Sequence, residues 1–211
     1  MTRKGSLIVI SGFSGVGKGT IVEYIRTKYE DYEVSVSCTT RAPRENEVNG
    51  REYYFISRDE FLAKREKNGF IESAEYCGNL YGSPRSFVEE KLAEGKRVIL
   101  EIEIQGAMNI RSQYPDAVLI FIMPPSAAEL IARLTGRATE TQEQILHRVQ
   151  RASHEAERIE DYDYIFVNDI VEDCAARIHD LVVKLEEAGT THNTEFIEDI
   201  RSQINGYLKG E

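Results

Sequence analysis

The sequence has few cysteines and no excess of basic residues, and each shortage argues against a class of protein. Cys38, Cys77 and Cys174 are odd in number and far apart, so no CxxC pair is present of the kind that binds zinc or forms a redox disulfide. We therefore expect reduced thiols in a cytosolic protein. The formal net charge of −10 at pH 7 argues against a general nucleic-acid-binding face.

Long apolar runs are also missing. No run approaches the roughly 20 residues of a membrane helix, and the apolar part of the N-terminal stretch MTRKGSLIVI is too short for a secretory signal. We expect no membrane or nucleic-acid partner. The 211 residues, 41% of them hydrophobic, predict one domain or one core with inserted lobes, as a monomer or a homo-oligomer.

Short continuous apolar runs predict an α/β fold. The runs are LIVI (7–10), VIL (98–100), AVLIFIM (117–123) and YIFV (164–167). Because they do not alternate with polar residues, they are typical of strands buried on both faces of a parallel sheet. Helical patterns cover residues 20–29, 83–94, 126–134, 140–160 and 170–188. The alternation of strands and helices indicates a parallel sheet flanked by helices.

A different pattern covers residues 34–82. The segments VSVSC, EYYFI and GFIESAEY are short and aromatic, and ENEVNG reads as a turn between them. This pattern predicts a small antiparallel sheet inserted between elements of the core.

A glycine-rich turn, GFSGVGKGT (12–20), follows the first apolar run and precedes a predicted helix. It fits G-x-x-x-x-G-K, with Gly12, Gly17 and Lys18 in register. Glycine lets successive backbone N–H groups point at phosphate oxygens, the helix adds its dipole, and Lys18 reaches the β- and γ-phosphates. The turn predicts a nucleoside triphosphate site. Gly19 follows the lysine and the hydroxyl comes at Thr20, so the hydroxyl that contacts a metal is left open.

Positive charge is concentrated in the polar segment SCTTRAPRENEVNGREYYF (37–55). Arg41 and Arg44 stand three residues apart around Pro43. Two arginines in such a segment are suited to a bidentate grip on phosphate.

This segment and four others resemble the guanylate kinase family. The others are the glycine-rich turn, GFIESAEYCGNLYGS (69–83), VILEIEIQG (98–106) and RLTGRATET (133–141). All five occur in the order and spacing of the family, and the resemblance covers roughly residues 5–188. It is more specific than the glycine-rich turn alone, which indicates only a nucleoside triphosphate.

The resemblance implies that the chain transfers the γ-phosphoryl group of Mg-ATP to GMP, giving GDP and ADP. ATP and GMP are then its partners and Mg²⁺ its cofactor. It also implies a P-loop core with an inserted mixed α/β GMP-binding lobe and a helical lid. The implied divisions are core 1–34, GMP-binding lobe 35–95, core 96–125, lid 126–158, core 159–190 and a C-terminal helical extension 191–211.

The resemblance also implies the site residues. ATP would contact Gly12, Phe13, Ser14, Gly15, Val16, Gly17, Lys18, Gly19, Thr20 and Asn168. GMP would contact Ser37, Arg41, Arg44, Tyr53, Glu72, Tyr81, Ser83, Glu101 and Glu103. The catalytic set would be Lys18, Arg41, Arg133, Arg137 and Arg148. No metal ligand is certain, and Thr20 or Glu101 would contact Mg²⁺ through water.

The residue types agree with this chemistry. A carboxylate such as Glu72 accepts from N1–H and N2–H₂ of guanine together, and a hydroxyl such as Ser37 donates to O6. Glu101 and Glu103 lie at the end of an apolar strand, two residues apart and so on one face. Taken singly, each has a plainer interpretation: a solvated strand glutamate for Glu72, charges at the sheet edge for Glu101 and Glu103, and surface ion pairs for the lid arginines.

Two other functions fit parts of the sequence. One is a non-catalytic guanylate kinase-like binding module, which the intact glycines and Lys18 argue against. The other is a P-loop kinase of similar fold with a different phosphate acceptor, which Glu72 and Ser37 argue against. In the extension, Phe196, Ile200, Ile204 and Leu208 share one helical face, which predicts packing onto the core or, less strongly, a dimer contact.

Overall fold

The computed structural model describes residues 5–76, 78–135, 150, 152–153 and 155–187. Its strands are β1 (Ser6–Gly12), β2 (Tyr32–Val34), β3 (Cys38–Thr39), β4 (Tyr54–Phe55), β5 (Phe70–Tyr76), β6 (Asn79–Pro84), β7 (Arg97–Glu101), β8 (Val118–Met123) and β9 (Tyr164–Val167). Its helices are α1 (Lys18–Lys28), α2 (Arg58–Glu66), α3 (Arg85–Ala93), α4 (Ile104–Gln113), α5 (Ala127–Thr135) and α6 (Val171–Glu187), with a 3₁₀ turn at Ile159–Asp161.

A parallel five-stranded sheet confirms the α/β fold. Its order is β2-β7-β1-β8-β9, and each of the four apolar runs forms one of its strands. The inner residues of these strands, such as Val9, Ile99 and Phe121, are fully buried. Burial on both faces of β1, β7 and β8 is why their runs are continuous in the sequence.

Strand β2 was not predicted. Tyr32–Val34 pairs in parallel with Arg97–Ile99 of β7 and forms an edge of the large sheet. The inserted sheet was predicted to begin at residue 34, because a three-residue edge strand shows little periodicity in the sequence.

The inserted sheet has four strands in the order β4-β3-β6-β5. The pairs β3–β6 and β5–β6 are antiparallel, as predicted, whereas β3 and β4 run parallel. The prediction of a purely antiparallel sheet is therefore wrong. A long polar connection, residues 40–53, joins β3 to β4, and this length permits a parallel return.

Two helices were missing from the predictions. Helix α2 begins with a capping box, in which Ser57 and Glu60 bond each other's backbone N–H. Helix α4 begins at its N-cap Glu103, whose side chain accepts from Gly106 N. Glu103 therefore lies beyond the end of β7, which corrects the prediction that it shares a strand face with Glu101.

The chain divides into two compact units. One comprises the residues up to Val9 together with Arg26–Ala117, and the other comprises Ile10–Ile25 together with the residues from Val118 onward. The first contains the inserted sheet, and its local core includes Cys38, Phe61, Phe70 and Leu80. The second contains the glycine-rich turn.

Some predictions fall outside the described residues. These are Arg137, Arg148, Cys77, most of the helix 140–160 and the extension 191–211. Among the described helices, none combines the length and the apolar composition needed to cross a membrane.

Candidate active site

The glycine-rich turn joins the end of β1 to the start of α1, in the second unit. Gly15 and Gly17 have φ of 81° and 94°, which favour glycine. At Gly12 there is no room for a side chain, because a Cβ there would lie 2.4 Å from Ile122 O. The turn is thus shaped by a close approach to strand β8 as well as by its own backbone angles, and it has the strand–turn–helix context that phosphate binding requires.

Lys18 begins α1 and folds back over the turn. Its Nζ donates to Gly12 O at 2.8 Å and to Phe13 O at 3.1 Å. Phe13 is buried, and its ring packs edge-on against Phe121 with centroids 5.1 Å apart. The ammonium group is therefore held at the turn, next to the backbone N–H groups that would face a phosphate.

Asn168 follows β9 and lies against the same turn. Its Nδ2 donates to Val16 O at 2.7 Å, and a Cβ at Gly17 would lie 2.7 Å from this nitrogen. Asn168 is 3% exposed, and among the described residues no hydrogen bond reaches its Oδ1. A buried acceptor without a donor is costly in a folded protein, so this oxygen fits a ligand N–H.

Arg133 of α5 also contacts the turn. Its guanidinium donates to Val16 O at 3.4 Å and to Asn168 O at 3.3 Å, and Nε donates to Glu129 at 2.9 Å. Arg133 therefore makes the ion pair with Glu129 that the plainer interpretation predicts, and it also lies beside the predicted triphosphate site.

A buried polar cluster lies in the first unit, around the carboxyl group of Glu72. Its Oε1 accepts from Ser83 N at 3.0 Å and from Ser83 Oγ at 2.7 Å, and the hydroxyls of Ser37 and Ser83 lie 3.4 Å apart. Glu72 is 5% exposed, so it is not a solvated strand glutamate. Burial raises the pKa of Glu72 to about 7, and the negative charge of Glu103 adds to this.

We expect Glu72→Gln to raise the melting temperature at pH 8 and to have much less effect at pH 5. The carboxyl in the folded protein has a pKa of about 7 against a reference value of 4.5. The neutral carboxyl group therefore stabilises the folded state fully below about pH 4.5. This stabilisation is lost as the pH rises through 7, because the folded protein must then bury a charged carboxylate. The full difference is on the order of 3 kcal/mol. Glutamine stays neutral and keeps an acceptor for Ser83.

Thermal unfolding followed by circular dichroism at several pH values measures this effect. Glu75→Gln is the matched control, because Glu75 lies in the same strand but is exposed and ion-paired to Arg58 at 3.8 Å. A difference between Glu72→Gln and wild type that is constant from pH 5 to pH 8 would contradict the raised pKa.

Arg41 lies at the start of the polar connection between β3 and β4. Its guanidinium makes a bidentate ion pair with Glu47, at 2.9 and 3.0 Å, and lies 5.4 Å from the ring centroid of Tyr53. Tyr53 packs edge-on against Tyr81 at 5.8 Å, and burial raises the pKa of Tyr53 to about 12. The Tyr53 phenol therefore remains a protonated donor beside a fixed cation.

Sequence reasoning missed the role of Glu47. Besides Arg41 it binds the backbone N–H of Arg44 at 2.7 Å, and the Arg41 hydrogen bonds hold the pKa of Glu47 below its ordinary value. Glu47 thus orders the segment that carries both arginines. The available signal was an acidic residue six positions after Arg41 in a segment otherwise read for its positive charge.

The predicted residues therefore form three groups, one around the glycine-rich turn in the second unit and two in the first unit. Ser37, Glu72 and Ser83 meet directly, as do Arg41, Tyr53 and Tyr81, whereas the Arg44 side chain is exposed. Glu101 is exposed at the end of β7, and its charge contributes to the raised pKa of Tyr53. Thr20 is exposed in the first turn of α1. No cluster of three or more metal-binding side chains occurs among the described residues.

The sequence matches a known family over most of its length. The profile described as guanylate kinase covers residues 4–185. A guanylate kinase from Clostridium acetobutylicum is 47% identical over 183 residues, 87% of each chain. One from Halalkalibacterium halodurans is 50% identical over 180 residues, 85% of this chain and 88% of that protein. One from Thermotoga maritima is 39% identical over 206 residues, 98% and 99%.

A solved structure agrees with the sequence comparison. The crystal structure of guanylate kinase from Anaplasma phagocytophilum matches with a TM-score of 0.71 and 34% identity, over 87% of each chain. It shares the fold over that part of the chain. By sequence and by fold, the chain belongs to the guanylate kinase family of enzymes.

Proposed function

We propose that the chain transfers the γ-phosphoryl group of Mg-ATP to GMP, and that the buried carboxyl group of Glu72 selects guanine. The observation that carries this proposal is the cluster of Glu72, Ser83 and Ser37, an acceptor and hydroxyls held together away from solvent. Guanine offers two adjacent donors, N1–H and N2–H₂, beside the O6 acceptor. Adenine has an acceptor at N1, which would face the carboxylate, so the cluster favours GMP over AMP.

The phosphate of GMP is assigned to the group around Arg41. Its guanidinium is held by Glu47 and lies beside the phenols of Tyr53 and Tyr81. Arg44 adds a second cation from the exposed part of the same segment. Arginine suits this task because its planar fork matches phosphate oxygens. We assign Glu101 and Glu103 to the guanine side of the same site.

The triphosphate of ATP is assigned to the glycine-rich turn, residues 12–20. Its backbone N–H groups and the start of α1 would bind the phosphate oxygens, with Lys18 as the mobile cation. The buried Oδ1 of Asn168 would accept the exocyclic amino group of adenine, which supplies the donor that this oxygen needs.

The reaction needs charge neutralisation more than a general base. The second pKa of a phosphate monoester is about 6, so GMP is largely dianionic at pH 7 and its attacking oxygen carries no proton to remove. The obstacle is repulsion between this dianion and ATP. Lys18, Arg41 and Arg133 would offset it, together with Arg137 and Arg148.

Mg²⁺, bound with ATP, would supply positive charge that offsets the negative charge of the phosphates. This ion commonly keeps several waters and takes few protein ligands when phosphates are present. Either Thr20 or Glu101, both exposed side chains, would contact it through water. These donors are hard oxygens, which fits magnesium.

We infer a cytoplasmic site of action because the reaction consumes ATP and GMP, which cells hold there. The protein would act without nucleic-acid partners, as a monomer or a homo-oligomer.

A coupled assay of ADP formation with Mg-ATP and each of GMP, AMP, CMP and UMP tests the proposal. We expect turnover with GMP alone, because only guanine matches the acceptor of Glu72. Turnover with another monophosphate would keep the triphosphate site and overturn the assignment of residues 37–83. No turnover with any of the four would favour a non-catalytic binding module.

A further inference from the structure

Helix α4 fixes the backbone on both sides of Glu72. Asn109 Nδ2 donates to Ser73 O at 3.4 Å, and Gln113 Nε2 donates to Ile71 O at 3.3 Å. Strand β5 lies at the edge of its sheet, where outward carbonyls need partners from outside the sheet. Because Ile71 and Ser73 flank Glu72, these two bonds set the place from which its side chain projects.

Gly106 lies on the same face of α4, one turn before Asn109. A Cβ at Gly106 would lie 2.6 Å from Glu72 Oε2 and 3.3 Å from Glu72 Cδ. Its backbone N donates to Glu103 Oε1 at 3.2 Å. Gly106 therefore lies between two carboxyl groups, and the space that a side chain would fill is occupied by the head of Glu72.

The backbone of Gly106 does not explain why glycine is there. It is helical, with no positive φ. Within a helix glycine is less favourable than alanine by about 1 kcal/mol. The close approach of Glu72 explains why glycine is present despite this cost. The other close neighbour, Ile102 Cδ1 at 3.3 Å, does not by itself require glycine, because it is the flexible end of a side chain.

We propose that Gly106 is a positioning residue for guanine recognition, which allows the Glu72 carboxyl group to lie against the first turn of α4 while Ser83 binds its other oxygen. A side chain at position 106 displaces this carboxyl group from the place where it meets N1–H and N2–H₂. The inference rests on the proposed function, in which Glu72 accepts these two donors.

Kinetics with GMP and IMP test the proposal, because IMP keeps N1–H and O6 but lacks the 2-amino group. For Gly106→Ala we expect kcat/KM for GMP to fall by about 10²-fold, the effect of a misplacement of about 1 Å. The ratio of kcat/KM for GMP to that for IMP falls with it, and KM for ATP stays within about twofold of wild type, since a general loss of packing would affect both substrates.

Gly78→Ala is the matched control. Gly78 lies in the turn between β5 and β6 with φ of 75°, and a Cβ there meets no atom within 4 Å. The substitution strains the same hairpin without approaching Glu72. It should lower stability and leave the ratio of GMP to IMP use unchanged.

Glu72→Gln separates failure of this inference from failure of the proposed function. If Glu72→Gln leaves the GMP to IMP ratio unchanged, Glu72 does not read guanine and the proposed function is wrong at that residue. If Glu72→Gln lowers the ratio but Gly106→Ala does not, only the positioning role of Gly106 is overturned.

Thermal unfolding gives a second test that needs no activity, in case Gly106→Ala folds poorly. In the wild-type background we expect Gly106→Ala to lower the melting temperature. In a Glu72→Ala background the close contact is gone, so the same substitution should raise the melting temperature through helix propensity. An equal decrease in both backgrounds would show that Glu72 is not the reason for the glycine.

Discussion

Replacing Lys18 with alanine is expected to lower kcat by about 10³-fold and to leave the fold intact. The loss of a single group that stabilises charge in a transition state costs on the order of 10² to 10³ in kcat. Lys18 begins α1, and its Nζ donates to two backbone oxygens of the turn, Gly12 O and Phe13 O. The turn itself is shaped by its glycines and by Phe13, so the backbone should survive the substitution.

Initial rates at saturating ATP and GMP measure this effect, and far-UV circular dichroism checks the fold. Lys28→Ala is the matched control, because Lys28 is an exposed lysine in the last turn of the same helix. Its kcat should equal that of wild type. Turnover of Lys18→Ala at the wild-type rate would overturn the assignment of the glycine-rich turn to ATP.

Replacing Glu72 with glutamine is expected to lower kcat/KM for GMP by on the order of 10³, because sites built to bind a polar group discriminate by such factors or more. The amide of glutamine presents an N–H₂ donor where guanine needs an acceptor. Its oxygen can still accept from Ser83 N and Oγ, so the local structure is retained. KM for ATP should stay within about twofold of wild type, because the substitution weakens the binding of GMP and leaves the ATP site unchanged.

The same variant should alter the pH dependence of GMP use. Burial raises the pKa of Glu72 to about 7, and only the ionised carboxylate accepts both guanine donors. In the wild type kcat/KM for GMP should therefore rise as the pH increases through 7, beyond the rise due to ionisation of the GMP phosphate, whose pKa is about 6. Steady-state rates from pH 6 to pH 9 should show this upper rise in wild type and in Glu75→Gln but not in Glu72→Gln. A profile that is the same in all three would contradict the role of Glu72 as the ionised acceptor.

The parts of the structure that the sequence predicted depend on local patterns. The apolar runs of β1, β7 and β8 were predicted because burial on both faces requires continuous apolar residues. The glycine-rich turn was predicted because Gly15 and Gly17 adopt backbone angles that other residues avoid. In both cases the requirement acts on neighbouring positions and is therefore visible in a short stretch of sequence.

The parts that were missed depend on distant partners. The parallel return of β4 beside β3 follows from how a long polar connection folds, and no short pattern specifies it. The role of Glu47 was not predicted, because its bond to Arg41 depends on the loop conformation. Gly106 was only the last residue of VILEIEIQG in the sequence, because its contact with Glu72, 34 positions earlier, depends on how α4 packs.

Because Phe13 packs edge-on against Phe121, we expect the enzyme to lose activity when the hydrophobic core around Phe121 unfolds. Phe121 in turn packs on the ring of Tyr162 at 5.1 Å, and all three side chains are buried. The glycine-rich turn is therefore anchored in the hydrophobic interior of its unit. On heating, this loop should keep its shape until that interior melts, so inactivation and unfolding of the unit share one temperature.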